Sequence, residues 1–274
     1  MDKKDSEPKV FDLLLLFLVF IFFQYITITI LNLLLVPFEL TQEKINSIYA
    51  VLIPPISFGS ILYFGFKRSK LRLNGLFTNT NLSSLKIIAL FILAISFNII
   101  LSELNNILQS FYPLSESLVK AINKQLFNNS LSMAGLYSLS TVITVILEEI
   151  FFRGIILKTL LKRYSVSIAI ISTSLFALLF SFDLQHIISL FTLELLLGWL
   201  YVRTGSLIDT ILGRFFYQSI TLIAIYLLPY KIRGFNSKIT SVATFQPFWF
   251  NLLGVILLVL GVLILYIEFN RSKN

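Results

Sequence analysis

Eight apolar runs of bilayer-crossing length dominate this chain, at about 13 to 36, 46 to 66, 85 to 103, 131 to 157, 166 to 182, 187 to 202, 206 to 228 and 248 to 267. A helix needs about 20 apolar residues to cross a hydrocarbon core about 30 Å thick. In that core every backbone N–H and C=O must be satisfied by the spanning structure itself, so a series of such runs predicts a helical bundle. The predicted fold is therefore all-α, a polytopic transmembrane bundle of about eight spans that forms one integral membrane domain over 1–274. With 57% hydrophobic and 13% charged residues, the composition excludes a soluble globule. Pro54-Pro55 is expected to break or kink the second span, and the short Asp183 to His186 link predicts a tight hairpin between spans five and six.

A net charge of +8 invites a nucleic-acid reading, but the cations lie in short loops between spans and form no basic tail. Membrane orientation accounts for them better. With the N-terminus inside, 14 Lys and Arg fall in inner segments and 6 in outer ones, while Arg153 and Arg214 lie within spans. That asymmetry predicts a cell-membrane protein with both termini cytoplasmic. Met1 to Lys9 is short and charged, and the run behind it is too long for a signal-peptide core, so an uncleaved first span is expected. Abundant Ile and Phe with Lys- and Asn-rich loops suggest an AT-rich bacterial genome.

Several chemistries are excluded at this level. Without cysteine there is no disulfide, thiolate metal site or cysteine nucleophile, and one histidine, His186, cannot supply a multi-imidazole metal centre. No phosphate-binding glycine loop, repeat or second domain is visible, and no cofactor is expected. The expected surroundings are the lipid bilayer and a membrane or cell-envelope protein partner, with no nucleic acid. Two outer segments stand out. Asn105 to Ser130 carries a Leu118, Ala121, Ile122, Leu126 pattern that suits a short amphipathic surface helix, and Pro229 to Pro247 is basic and polar, suited to a partner or to lipid headgroups.

Charge inside the fourth span is the candidate functional feature. Each ionised side chain at mid-bilayer costs roughly 2.5 to 3.5 kcal/mol on insertion scales, so Glu148, Glu149 and Arg153 are expected to face the bundle interior. Glu149 and Arg153 are spaced i,i+4 and can neutralise each other, whereas Glu148 points about 100° away.

The order Glu148-Glu149-Ile150-Phe151-Phe152-Arg153-Gly154, then Phe176-Ala177-Leu178-Leu179, then Gly198 to Leu207 with its Arg203-Thr204-Gly205-Ser206 turn, resembles the CPBP (Abi) family of intramembrane CAAX proteases and bacteriocin-processing proteins. The resemblance covers roughly 132–228. It implies an eight-helix bundle with a polar intramembrane cavity, in which the first motif glutamate, here Glu148, activates a water for peptide hydrolysis. It further implies one histidine in an FxxxH motif and another heading a third motif, as donors beside that base.

Both histidine positions are altered. Phe180 stands where FxxxH beginning at Phe176 would end, and Arg214 and Gln218 stand in the third motif. His186 completes a second FxxxH from Phe182, but it lies roughly 9 Å further along than Phe180 and near the predicted outer surface, which favours a loop histidine. Arg214 reads either as a salt-bridge partner of Glu148, Glu149, Asp209 or Glu194, or as a replacement oxyanion donor. The ion pair is favoured, because a permanent cation beside Glu148 would weaken it as a base. Glu194 is likewise read as a pairing acid. Trp199, Tyr201, Trp249 and the many phenylalanines are read as lipid-facing or interfacial packing, and Gly198, Gly205 and Gly213 as turn or close-packing positions.

Three readings follow. The first is a degenerate family member acting as a scaffold or regulator, including in bacteriocin immunity. The second is a working endopeptidase with an altered site drawn from Glu148, Glu149, Arg153, Arg214, Gln218 and His186. The third is a transporter, for which the repeated halves and paired broken helices are missing.

Overall fold

A computed structural model describes residues 10–69, 76–77, 82–127, 131–181 and 186–271. The described chain is helical throughout, with no strand among the described residues. In order come α1 (Val10–Leu35), α2 (Gln42–Ser69), α3 (Ser84–Phe111), α4 (Glu116–Phe127), α5 (Leu131–Glu149), a π-helix (Ile150–Leu157), the single turn α6 (Lys158–Leu160), α7 (Val166–Ser181), α8 (Ile187–Thr204), α9 (Leu207–Tyr226) and α10 (Phe248–Arg271). Each expected span thus has a helical segment. Six of them, α1, α2, α3, α8, α9 and α10, are long and apolar enough to cross a membrane, while α7 has 16 residues and the charged α5 gives way to the π-helix. The Met1 to Lys9 segment and the Phe182 to Gln185 part of the expected hairpin lie outside the described residues.

Two compact units form. One comprises Met1–Asn79, Gly135–Ser181 and Gly198–Leu207; the other comprises Thr80–Ala134, Phe182–Leu197 and Ile208–Asn274.

In the first unit, α2 runs on through Pro54 and Pro55 as one helix, so of the expected break or kink the break does not occur. Pro55 has no N–H to give the Val51 carbonyl. Ser140 on α5 supplies the missing donor, its Oγ lying 2.6 Å from Val51 O. The unit's core is aromatic: Phe20, Phe58, Phe151, Phe152, Phe176 and Phe180 are all buried, and their rings pack edge-on or tilted against one another except for the stacked Phe58 and Phe180. The reading of the phenylalanines and Tyr201 as lipid-facing or interfacial packing therefore fails for these six and for Tyr201, which is also buried. A helix that is apolar all round gives no sequence signal for which face meets lipid and which meets a neighbour. Trp199 and Trp249 do lie exposed, as expected.

In the second unit, α3 and α10 pack antiparallel. Gly261 lies against Leu93 and Ala89, Gly254 against Ile99, and the Ser96 hydroxyl donates to Gly254 O at 2.8 Å. The glycines let the backbones approach closely. Leu101 of α3 joins Leu193 and Leu197 of α8, with Tyr217 of α9 alongside. Asn98 ties α3 to α9, its Nδ2 donating to Tyr217 O at 3.0 Å and its Oδ1 accepting from Thr221 Oγ1 at 2.6 Å.

The third span was expected to end near 103, yet α3 continues to Phe111. Its last turns are polar because they hold the 229–247 segment in place. Gly234 O accepts from Ser102 Oγ at 3.2 Å and Asn106 Nδ2 at 2.8 Å, and Gln109 Nε2 donates to Thr240 O at 2.6 Å. Glu103 accepts from Gln246 N and Asn251 Nδ2 at 3.0 and 3.1 Å. Gly234 has φ +72°, and a Cβ there would fall 2.4 Å from Thr244 O, so only glycine fits this turn. The predicted amphipathic helix is present as α4, and Asn123 on it is bonded to both the N–H and the carbonyl of Ile239. The Leu126 side chain lies outside the described residues.

Candidate functional site

Glu149 is the last residue of α5, and the helix widens to π pitch directly after it. The Lys158 N–H reaches back to Arg153 O, five residues earlier. Such stretches are rare and recur at functional sites, and nothing in the periodicity announced this one. Glu149 and Arg153 are fully buried, and Arg153 Nη1 lies 3.1 Å from Glu149 Oε1, so the i,i+4 pair forms as the spacing predicted. Glu148 is half-buried beside it. Gly154 follows because Leu76 packs on that face, with Leu76 Cδ1 2.8 Å from where a Cβ would stand.

Phe180 sits in the same unit. It is 5% exposed, and its ring centroid lies 4.6 Å from Phe20, 5.1 Å from Phe176, 5.2 Å from Phe17, 5.4 Å from Phe151 and 5.5 Å from Phe152. Phe151 and Phe152 are two of the three residues between Glu149 and Arg153. The position that the motif would give to an imidazole is thus part of a phenylalanine cluster built on the motif helix itself. A phenyl ring offers neither a proton nor a hydrogen-bond donor to a reacting oxygen.

The remaining candidates belong to the second unit. Arg214 of α9 pairs with Glu194 of α8, one of the four acids considered, both buried, and Glu194 is a pairing acid as expected. Asp209, fully buried in the first turn of α9, pairs with Lys86 of α3 at 3.2 Å. Lys86 reads in sequence as a loop cation. In the structure it lies in the first turn of α3, where its N–H donates to the N-cap Ser83 Oγ at 3.1 Å. Gln218 lies half-buried one turn beyond Arg214 on α9. His186 occupies the turn before α8, its carbonyl accepting from Ser189 Oγ and Leu190 N.

The Arg203-Thr204-Gly205-Ser206 turn is built as a helix stop. Gly205 has φ +65°, its N–H donates to Tyr201 O at 2.7 Å, and Thr204 Oγ1 accepts from Ser206 N at 3.1 Å. No group of three or more His, Cys, Asp or Glu able to hold a metal occurs among the described residues.

Neither the curated proteins nor the solved structures compared with this chain include a match. Residues 130–220 match a family model described as type II CAAX prenyl endopeptidase Rce1-like. That range begins just before α5, takes in the buried Glu149 and Arg153 pair, the π-helix, Phe180 and the Gly205 turn, and ends beyond Arg214 and Gln218. The chain is thus a helical membrane protein carrying an Rce1-like domain of the CPBP family.

Proposed function

We propose that this protein is a non-catalytic member of the CPBP family, a membrane-embedded scaffold or regulator that works by binding a membrane or cell-envelope protein. The observation that carries this reading is the burial of Phe180 among Phe17, Phe20, Phe58, Phe151, Phe152 and Phe176. Hydrolysis through a glutamate-activated water needs donors for the developing oxyanion beside the base. At one motif position the chain has an aromatic core instead. At the other, Arg214 is engaged by Glu194. What is kept, the Glu149 and Arg153 pair, has a structural use of its own, since it neutralises two charges inside an apolar helix.

One observation favours the altered-site endopeptidase as a second reading: the π-helix begins at the motif, immediately after Glu148 and Glu149. The two readings separate in a direct assay. Full-length protein in nanodiscs is incubated with a prenylated CAAX peptide, the class named by the family model. The scaffold reading expects no cleavage product. A product that forms with the wild type and disappears with Glu148→Gln would replace it with the peptidase.

A further inference from the structure

The second unit ends in a built cap whose surface chemistry differs from the spans beneath it. At about 1.5 Å per residue, the 28 residues of α3 reach about 42 Å, well beyond a hydrocarbon core of about 30 Å. Its last two turns carry Asn105, Asn106 and Gln109, polar residues suited to headgroup depth rather than to the hydrocarbon core. The 229–247 segment is bonded to those turns, α4 is bonded to that segment through Asn123, and α9 ends and α10 begins at the same level. The cap is held on the end of α3 by side-chain to backbone bonds.

Two kinds of side chain cover this cap. Phe111, Tyr112, Tyr230, Phe248 and Trp249 are between 59% and 81% exposed, a concentration of aromatic rings at the end of apolar helices. Amphipathic rings of this sort settle at the membrane–water boundary. Lys120 and Lys124 on α4 and Lys231, Arg233 and Lys238 in the 229–247 segment are also exposed, against one exposed acid, Glu116. A cationic surface with aromatic anchors matches an anionic headgroup layer in both charge and depth.

We propose that this cap is a binding surface for anionic phospholipid headgroups of the leaflet it faces, with phosphatidylglycerol as the representative species. Lys120, Lys124 and Lys238 contribute charge, and the aromatic residues fix the depth at which that charge is presented. The cap's residues belong to the second unit and those of the motif helix to the first, and the proposal does not depend on whether peptide hydrolysis survives.

Trp249 is the natural reporter, since Trp199 is the chain's other tryptophan and can be changed to Phe. Full-length Trp199→Phe protein is placed in nanodiscs of phosphatidylcholine that contain a fixed minority of acyl-brominated lipid, either phosphatidylglycerol or phosphatidylcholine. Brominated phosphatidylglycerol is expected to quench Trp249 several-fold more strongly than its zwitterionic counterpart. That preference should vanish in high salt and in the triple variant Lys120→Gln, Lys124→Gln, Lys238→Gln. The corresponding triple Lys→Arg variant should retain it, which controls for folding. Equal quenching by the two lipids, as expected of a face occupied by a protein partner, overturns the proposal. So does a preference that survives in the triple Gln variant.

Discussion

Ser140 on α5 gives its hydroxyl proton to the Val51 carbonyl of α2 at 2.6 Å, the carbonyl that Pro55 leaves without its helical donor. The proline pair is tolerated in the middle of a membrane helix because a neighbouring helix satisfies the freed backbone group. Ser140→Ala should lower stability by about 0.5 to 2 kcal/mol, the range for interhelical hydrogen bonds in membranes. Pro55→Ala restores an N–H at that position, so Ser140→Ala should cost less in its background. Thermal unfolding of the two single variants and the double variant reads the coupling, and simple additivity would rule the relationship out.

The motif helix should depend on its internal pair. Arg153→Leu leaves the buried Glu149 carboxylate without its cation, and breaking such a pair typically costs about 3 to 5 kcal/mol. Expression level and melting temperature in detergent should both fall. Wild-type values for Arg153→Leu would show that the pair does not support the helix.

Restoring the motif imidazole should not restore chemistry. Phe180→His puts a polar ring into the phenylalanine cluster and forfeits apolar burial, at a cost of about 2 to 4 kcal/mol. The melting temperature should drop and prenylated CAAX peptide should remain intact. A variant as stable as the wild type that cleaves the peptide would mean that the cluster opens readily into a working site.

How far the sequence could be read depended on the distance over which each feature acts. The spans follow from hydropathy, and the Glu149 and Arg153 pair from its i,i+4 spacing, because both signals are local. The Lys86 and Asp209 pair was not legible, since its members lie on α3 and α9 and each looks like a residue at a span end. The last two turns of α3 look like a loop because their polar residues serve the 229–247 segment, which lies far away in the chain. Phe180 could be recognised as a departure from the motif, but its packing against Phe17, Phe20 and Phe58 could not, because phenylalanine looks the same in sequence whether it meets lipid or another ring. The π-helix left no trace in composition or period.

Both chain ends should lie on the cytoplasmic side, as the distribution of Lys and Arg predicts. The absence of cysteine makes single introduced thiols clean reporters. Ser272→Cys should resist an impermeant maleimide applied to intact cells and react once the membrane is permeabilised. Lys238→Cys, in the cap, should react from outside. Labelling of Ser272→Cys in intact cells would invert or abolish this topology.

The sharpest prediction concerns Glu148, half-buried at the end of α5 next to the paired Glu149. Glu148→Gln is almost isosteric and removes the negative charge, and with it the capacity to act as a base. A general base contributes about 100- to 10,000-fold to a rate, so a working peptidase would be nearly silenced, whereas a scaffold should keep its biological activity largely intact. Glu149→Gln is the control: it weakens the buried Arg153 pair and should harm either kind of protein through stability. The decisive measurement combines the cellular phenotype of Glu148→Gln with its protein level, melting temperature and partner binding. If function disappears while those three quantities stay at wild-type values, the scaffold reading is wrong and the π-helix marks the site of an altered peptidase.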